Sequence, residues 1–230
     1  DTILTRAMRY PLMTVPHVAD SPTVDGKVDD REWRNASVLP NLVSMNTDLT
    51  HPGTAPDYRS RVYLQYNDDA LFVAVKNAYP EWVDEPVVLH KSGHDKTSGR
   101  ESHFDIFLVP ADSWQHGERW HICGNPAGVL FDRDLSDSKL KTHWTPGFEY
   151  RAVVGKGGWD GEFRLDFEKL GIGPPEPGTL WRANFFFVRL KPTTVMSTWS
   201  PWADWRQSQG GERGYGWLRF GADAAAVRFE

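Results

Sequence analysis

The sequence predicts an all-β fold, an antiparallel β-sandwich of two sheets in the immunoglobulin or jelly-roll style, with very little helix. Short segments of alternating or continuous apolar character recur along the chain, and few windows show helical periodicity. The chain also contains 20 glycines and 16 prolines, which separate these segments as turn signals. Many short strands joined by turns are typical of a sandwich.

The predicted strands follow one another in chain order. They cover residues 61–66, 71–75, 104–109, 120–123, 129–131, 149–154, 161–165, 180–190 and 216–220. Asn67-Asp68-Asp69 has the composition of a tight hairpin turn between the first two. Residues 29–36 are predicted to form one short helix, with acidic residues in the first turn and Trp33 facing inward. Phe167 to Leu170 is expected to form at most a turn.

One domain accounts for most of the chain. We expect residues 1–21 to be an N-terminal extension packing on the sandwich, residues 22–221 to be the sandwich domain, and residues 222–230 to be a C-terminal tail. A length of 230 residues is ordinary for a single all-β unit, and we find no internal repeat or linker.

Composition excludes several classes of protein. The chain carries 26 Lys and Arg against 31 Asp and Glu, a net charge of −5, which argues against nucleic-acid binding. No apolar run approaches the roughly 18 residues that a membrane span needs. The single cysteine, Cys123, excludes an intramolecular disulfide and any site built from several thiolates.

Tryptophan is unusually frequent, with 11 residues in all. Trp199, Trp202 and Trp205 recur at a spacing of three in a Pro-containing stretch that cannot form a long helix. We expect Trp199 to be buried and Trp205, in the polar Asp-Trp-Arg-Gln run, to face a ligand. Trp202 fits either role.

A series of motifs resembles family 9 carbohydrate-binding modules, in order, over residues 22–221. The motifs are Thr23 to Trp33, with the pattern hydrophobic-Asp-Gly…Asp…Glu-Trp; Tyr66 to Val73; His103 to Leu108; Asn125-Pro126-Ala127-Gly128 with Asp132; Gly158-Trp159 with Glu162; Trp181 to Phe185; Ser197 to Pro201; and Tyr215 to Phe220. Each motif is short, but their common order and spacing are specific for the fold.

The resemblance implies a module that binds the ends of polysaccharides or oligosaccharides without chemistry. Such modules are usually attached to a glycoside hydrolase and exported, so we expect a secreted or periplasmic bacterial protein, possessing no catalytic residues of its own. A sugar ring has an apolar face that stacks on tryptophan, whereas its hydroxyls need hydrogen-bond partners once water is removed.

The resemblance also assigns site residues. Trp205 takes the place of one stacking tryptophan, and Asp105 that of an acidic residue on the binding-face strand, where glutamate is usual. Arg206 would donate hydrogen bonds to sugar hydroxyls. Gly99 stands where the second stacking tryptophan is expected, so Trp82 or Trp202 would have to supply the second aromatic wall.

The resemblance requires no cofactor, but it is compatible with a structural calcium ion. The candidate oxygen ligands are Asp25, Asp29, Asp68, Asp69, Asp132 and Asp134, each of which could equally be a turn or cap residue, and the sequence does not select a set. His90, His94, His103 and His121 raise a second question, because imidazoles with Asp95 or Asp105 could ligate zinc or copper.

Two other classes of function remain open. A similar sandwich binds haem in some extracellular dehydrogenases, and Met8, Met13, Met45 or Met196 with His121 or His103 could supply axial ligands. The chain could also be a structural or interaction domain of a larger enzyme. Hydrolase chemistry lacks a recognisable motif, since there is no Gly-x-Ser-x-Gly elbow and no pair among Asp105, Glu101 and Glu162 is distinguished.

Overall fold

The chain is all-β. The computed structural model describes residues 10–44, 59–79, 102–110, 119–136, 144–189, 195–200 and 214–223. The strands in this part are β1 (Leu12–His17), β2 (Ser37–Leu39), β3 (Val43–Ser44), β4 (Arg59–Tyr66), β5 (Ala70–Ala78), β6 (His103–Pro110), β7 (Trp120–Gly124), β8 (Leu130–Asp134), β9 (Glu149–Gly155), β10 (Gly158–Asp166), β11 (Leu180–Arg189), β12 (Val195–Thr198) and β13 (Gly216–Asp223). The helix α1 (Phe167–Leu170) is one turn long. None of the described helical structure has the length or apolarity to cross a membrane.

The strands form one continuous hydrogen-bonded sheet. Its order is β8-β7-β6-β11-β13-β1-β4-β5-β10-β9, with β12 added beside β11, β3 beside β12, and β2 beside β4. All pairings between these strands are antiparallel except those of β1, which runs parallel to β13 and to β4. A parallel pair needs a long connection, and here most of the chain separates β1 from β13.

The sheet folds over on itself and nearly closes into a barrel-like shape. Phe104 on β6 and Phe163 on β10 stand six strands apart in the order, yet their ring centroids are 6.2 Å apart. Trp159 on β10 similarly lies 6.5 Å from Phe187 on β11. These rings belong to the main core, which fills the space between the two halves of the sheet.

Residue alternation assigns two sides to each strand. On β6, Phe104, Ile106 and Leu108 enter the main core, so His103, Asp105 and Phe107 point to the outer face. On the opposite half, Trp33 packs with Tyr63 and Phe72 in a smaller outer cluster. Both outer faces therefore carry buried side chains.

The hairpin of β4 and β5 is confirmed. The two strands pair from Arg59 with Ala78 to Tyr66 with Leu71. The side-chain oxygen of Asn67 accepts hydrogen bonds from the backbone N–H groups of Asp69 and Ala70, each at 3.0 Å. This Asx-type turn is the physical basis of the sequence signal.

The prediction of a helix at residues 29–36 is wrong. The Trp33 N–H donates to the Asp29 carbonyl oxygen as in a helix, but the next bond, from Ala36 to Trp33, already has turn spacing. The indole N–H of Trp33 is tied instead to distant Glu162. Its predicted inward position is confirmed, because Trp33 is buried. Phe167–Leu170, expected as at most a turn, is the helical turn α1, followed by Gly171 at φ 78°.

Four strands lie outside the sequence prediction: β1, β2, β3 and β12. β1 falls within residues 1–21 and lies between β13 and β4 in the sheet. The domain boundaries themselves stay a prediction.

Candidate functional site

Four polar side chains with ligand character meet on the outer face of β6 and β7. Asp105 and Cys123 are direct cross-strand partners, and Phe107 is the partner of His121. Because side chains two residues apart share one face, His103, Asp105, His121 and Cys123 lie together. We call these four residues the His-Asp-Cys cluster.

The Asp105 carboxylate is held between two imidazoles. Its Oδ1 lies 2.8 Å from Nε2 of His121, and its Oδ2 lies 3.3 Å from Nε2 of His103. The side chains of His103, Asp105 and His121 keep only 12%, 10% and 14% of their exposure. The cluster is therefore largely shielded but reachable from the outer face.

The charge state of Asp105 follows from these contacts. Burial on its own would raise the pKa of Asp105, but attraction and hydrogen bonding from His103, followed by those from His121, outweigh burial. Together they hold the pKa of Asp105 well below its usual range. The carboxylate is thus ionised at neutral pH.

Aromatic rings fix the surroundings of the cluster. The His121 ring stacks on Phe107 with centroids 4.3 Å apart and planes 9° apart. Phe107 in turn contacts Phe186 and Tyr215 in a separate outer cluster. The imidazole therefore sits on a packed aromatic support.

The predicted site residues divide into two groups. Asp105 is on the outer face of β6, within the His-Asp-Cys cluster. Trp205, Arg206, Trp202 and Trp82 lie outside the described residues, as does Gly99. Their predicted roles stay predictions.

Both ends of segment 201–213, which carries three of these residues, are described. Ser200 precedes it and Gly214 follows it, and the Ser200 hydroxyl donates to the Gly214 carbonyl oxygen at 2.6 Å. The buried Asn184 of β11 accepts a hydrogen bond at 3.0 Å from the Ser200 N–H. Trp199 is buried, as predicted, and packs on Phe185 at 5.5 Å.

The six aspartates proposed as calcium ligands do not converge in the described part of the chain. Asp25, Asp29 and Asp134 each accept a hydrogen bond from a backbone N–H two residues ahead. Asp68 pairs with His17 at 3.0 Å. The one group of three or more ligand side chains close enough to share an ion, among the residues described, is His103, Asp105 and Cys123. His90, His94 and Asp95 lie outside that part.

The methionines proposed as haem ligands occupy different environments. Met13 packs against the main core. Met196 and His103 are both register partners of Val188, so they lie two strands apart with Val188 between them. Met8 and Met45 are outside the described residues.

Glu162 has a structural environment. It is fully buried, and its carboxylate accepts hydrogen bonds from the Gly26 N–H at 2.8 Å, the Asp25 N–H at 3.0 Å and the Trp33 indole N–H at 2.9 Å. It lies on the outer face of β10, away from the half of the sheet that carries Asp105. Through these three hydrogen bonds, Glu162 anchors the turn at Asp25 and Gly26.

A polar groove of about 680 Å³ runs beside this turn. Side chains of both charges line it, including Asp25, Lys27, Asp29, Arg31 and Glu32. Its described lining includes two of the calcium candidates, whereas Asp105, the one described residue proposed for sugar binding, lies elsewhere.

Sequence reasoning missed the part that Cys123 plays in the cluster. The signal was available, because His103-x-Asp105 and His121-x-Cys123 are two His-x-ligand pairs on strands that alternate every second residue. What was lacking was the register, which brings the two pairs side by side.

The fold has known counterparts among solved structures. No protein-family model matches the chain, and no curated protein matches it. A family 9 carbohydrate-binding module from Caldicellulosiruptor kristjanssonii in complex with cellotriose is 15% identical, with a TM-score of 0.66, over 96% of this chain and 100% of that one. The same module with glucose gives 14% identity and a TM-score of 0.67 over the same shares.

A third structure, a carbohydrate-binding protein from Bacteroides uniformis ATCC 8492 whose function is inferred, is 14% identical with a TM-score of 0.69. The match covers 92% of this chain and 99% of that one. All three likenesses extend over nearly the whole of both chains. The chain therefore has the fold of the family 9 carbohydrate-binding modules, as the sequence motifs indicated.

Proposed function

We propose that this protein is a non-catalytic carbohydrate-binding module for the ends of polysaccharides or oligosaccharides. One observation carries the proposal: the likeness spans the full length of modules solved with cellotriose and glucose. The ordered motif series in the sequence points to the same family independently. Cello-oligosaccharides are therefore the first ligands to test.

Trp205 is proposed as the stacking platform, with Trp202 or Trp82 as the second wall and Arg206 as a donor to hydroxyls. The Ser200–Gly214 contact supports this assignment, because it anchors the segment that carries Trp202, Trp205 and Arg206 to β11 through Asn184. A stacked ring covers the apolar face of a pyranose, and the surrounding polar groups replace the water it loses.

Asp105 is proposed as an acceptor for sugar hydroxyls. An ionised carboxylate offers about four acceptor positions, and the two imidazoles take one on each oxygen. The remaining positions, together with the low pKa that keeps the group charged, suit it to this role.

Three finer features complete the proposal. We infer a two-layer sandwich rather than a closed barrel, because rings from opposite halves of the sheet, such as Phe104 and Phe163, lie 6.2 Å apart across one core. We further propose that the protein is exported, to the periplasm or outside the cell, and that it works linked to a carbohydrate-active catalytic domain. The family resemblance supports both.

A structural calcium ion is proposed only in a restricted form. Since no three of the six candidate carboxylates converge in the described residues, calcium there would need backbone carbonyl ligands beside one or two aspartates. Such an ion would stabilise a turn and would not contact sugar.

The test is a glycan-array or affinity-gel screen of the full chain, followed by calorimetric titration with cellotriose and glucose. We expect wild-type binding of modest affinity, because one stacked sugar buries little area. Trp205→Ala should weaken binding at least tenfold, which is about 1.4 kcal/mol. Trp205→Phe is the matched control, since it keeps an aromatic ring, and it should retain most of the affinity.

The proposal fails if wild-type protein binds no glycan, or if Trp205→Ala binds as tightly as the wild type. A parallel screen in EDTA, with calcium then restored, tests the calcium proposal. If calcium has the proposed structural role, its removal should lower the melting temperature of the protein without changing which glycans bind.

A further inference from the structure

We propose that His103, Asp105 and Cys123 form a binding site for a divalent transition-metal ion, Zn²⁺ by its ligand chemistry. This site shares Asp105 with the sugar-binding site proposed above, but it is argued from the contacts of the cluster alone and does not depend on sugar binding. It lies on the outer face of β6 and β7, in the His-Asp-Cys cluster.

Strand register brings the ligands together. Asp105 and Cys123 are direct partners across the β6–β7 ladder, and His103 precedes Asp105 by two residues on the same face. One ligand atom from each of the three residues lies within 4.8 Å of the others. No change of backbone pairing is needed to offer all three to one ion.

The distances suit a tetrahedral ion. With bonds of about 2.0 to 2.3 Å, two ligand atoms of a tetrahedral zinc site lie roughly 3.5 Å apart. Nε2 of His103 and Oδ2 of Asp105 are already 3.3 Å apart. The ligand atom of Cys123 lies within 4.8 Å of those of the other two residues, so side-chain adjustment can close the set on an ion.

The donor set selects the class of metal. One imidazole, one carboxylate and one thiolate match zinc and its neighbours in the transition series, whereas calcium and magnesium take oxygen ligands almost exclusively. Three protein ligands leave a fourth position for water or another ligand.

His121 completes the arrangement as a positioning residue. Its Nε2 lies 2.8 Å from Asp105 Oδ1, the oxygen that faces away from His103. Its ring is held by the stack on Phe107. Metal-binding side chains commonly have such a second hydrogen-bonded partner, which fixes their orientation.

The experiment is calorimetric titration of Zn²⁺ into the full chain, purified without a histidine tag and stripped with a chelator. We expect one equivalent to bind, with affinity reduced at least tenfold by either His103→Ala or Cys123→Ser. His121→Ala should weaken binding by 10- to 100-fold. His17→Ala is the matched control: it removes a histidine that also pairs with an aspartate, Asp68, but lies on β1, and it should leave binding unchanged.

Cobalt provides a second measurement that a merely structural cluster would not give. Co²⁺ bound through Cys123 should show a thiolate-to-metal charge-transfer band in the near ultraviolet, which Cys123→Ser should abolish. If circular dichroism shows that a variant does not fold, the rate at which Cys123 is alkylated in wild-type protein is measured instead of zinc binding to that variant. Zn²⁺ should slow that reaction.

The proposal is overturned if wild-type protein takes up no stoichiometric zinc. It is also overturned if His103→Ala and Cys123→Ser bind zinc as the wild type does, or if zinc leaves alkylation unchanged. The titrations contain no glycan, so this outcome is distinct from a failure of sugar binding. Trp205→Ala should bind zinc normally.

Discussion

Two buried carboxylates, Glu162 and Asp105, occupy the outer faces of opposite halves of the sheet and are satisfied in different ways. Glu162 accepts three N–H donors that carry no formal charge. Burial raises its pKa even though these hydrogen bonds act in the opposite direction. Asp105 faces two imidazoles, which lower its pKa. The first environment fixes a turn, whereas the second is suited to holding a ligand.

Glu162→Gln tests the structural role of Glu162. The amide keeps the size of the side chain but turns an NH₂ group toward donors that had an acceptor. We expect the free energy of unfolding to fall by about 1–3 kcal/mol, the cost of buried donors left without partners. Urea unfolding measures it. The exposed Glu149→Gln on β9 is the control and should change stability by less than about 0.5 kcal/mol; an equally small effect at Glu162 would contradict the role.

Much of the candidate site was within reach of the sequence. The family motif placed Asp105 on the binding-face strand, and alternation along β6 puts its side chain on the outer face. The cross-strand pairing of Asp105 with Cys123 could not be predicted from the sequence, because strand register depends on pairing across the whole sheet. Glu162 likewise could not be matched to Trp33, which lies 129 residues away.

Close packing between the two halves of the sheet limits the size of side chain that individual positions in a strand can hold. Gly124 ends β7, and a Cβ placed there would lie 2.4 Å from Cζ of Tyr150 and 2.6 Å from Cζ of Phe163. Both rings are buried and packed on each other at 4.4 Å. Glycine at this position lets β7 approach β9 and β10.

Gly124→Ala should therefore destabilise the protein by about 1–3 kcal/mol, as expected when a packed core must shift for an extra methyl group. Gly155→Ala is the matched control, since Gly155 also ends a strand, β9, and nothing lies within 4 Å of a Cβ there. Thermal unfolding of both variants provides the comparison. Equal melting temperatures would show that the rings move aside freely.

At the scale of elements, local signals predicted what local chemistry controls. The β4–β5 hairpin was predicted because Asn67 makes the turn by itself, with bonds to its own neighbours. The helix at residues 29–36 was predicted from a local acidic pattern. The segment forms turns instead, and the indole of Trp33 is held by a long-range hydrogen bond to Glu162, which a local pattern does not show. β1 was missed as a strand because it pairs with β13, about 200 residues later, and no local turn announces it.

A buried tyrosine links the stability of the whole molecule to alkaline pH. Tyr150 donates its hydroxyl to the Asn125 carbonyl oxygen at 2.7 Å from within the core. Burial, and then the charge of Cys123, raises the pKa of Tyr150 well above its ordinary value. In the unfolded chain a tyrosine titrates near pH 10.

Because the pKa of Tyr150 is higher in the folded than in the unfolded protein, its contribution to the free energy of unfolding is complete below a pH of about 10. This contribution is lost as the pH rises toward the folded pKa. We expect the free energy of unfolding to fall above pH 10 by up to about 1.4 kcal/mol per pH unit for this group. Tyr150→Phe should show a shallower decline. Urea unfolding at several pH values between 8 and 11 tests this, and parallel declines in the two proteins would refute the assignment.

The contact between Ser200 and Gly214 has a consequence for engineering. It joins the two residues that flank a thirteen-residue stretch, and Asn184 ties Ser200 to β11. For a flexible loop whose ends are fixed, each doubling in length costs only about 0.6 kcal/mol of closure entropy. We therefore expect insertions and substitutions in residues 201–213 to cost little stability while Ser200 and Gly214 are kept, so that new binding specificities could be selected in this stretch.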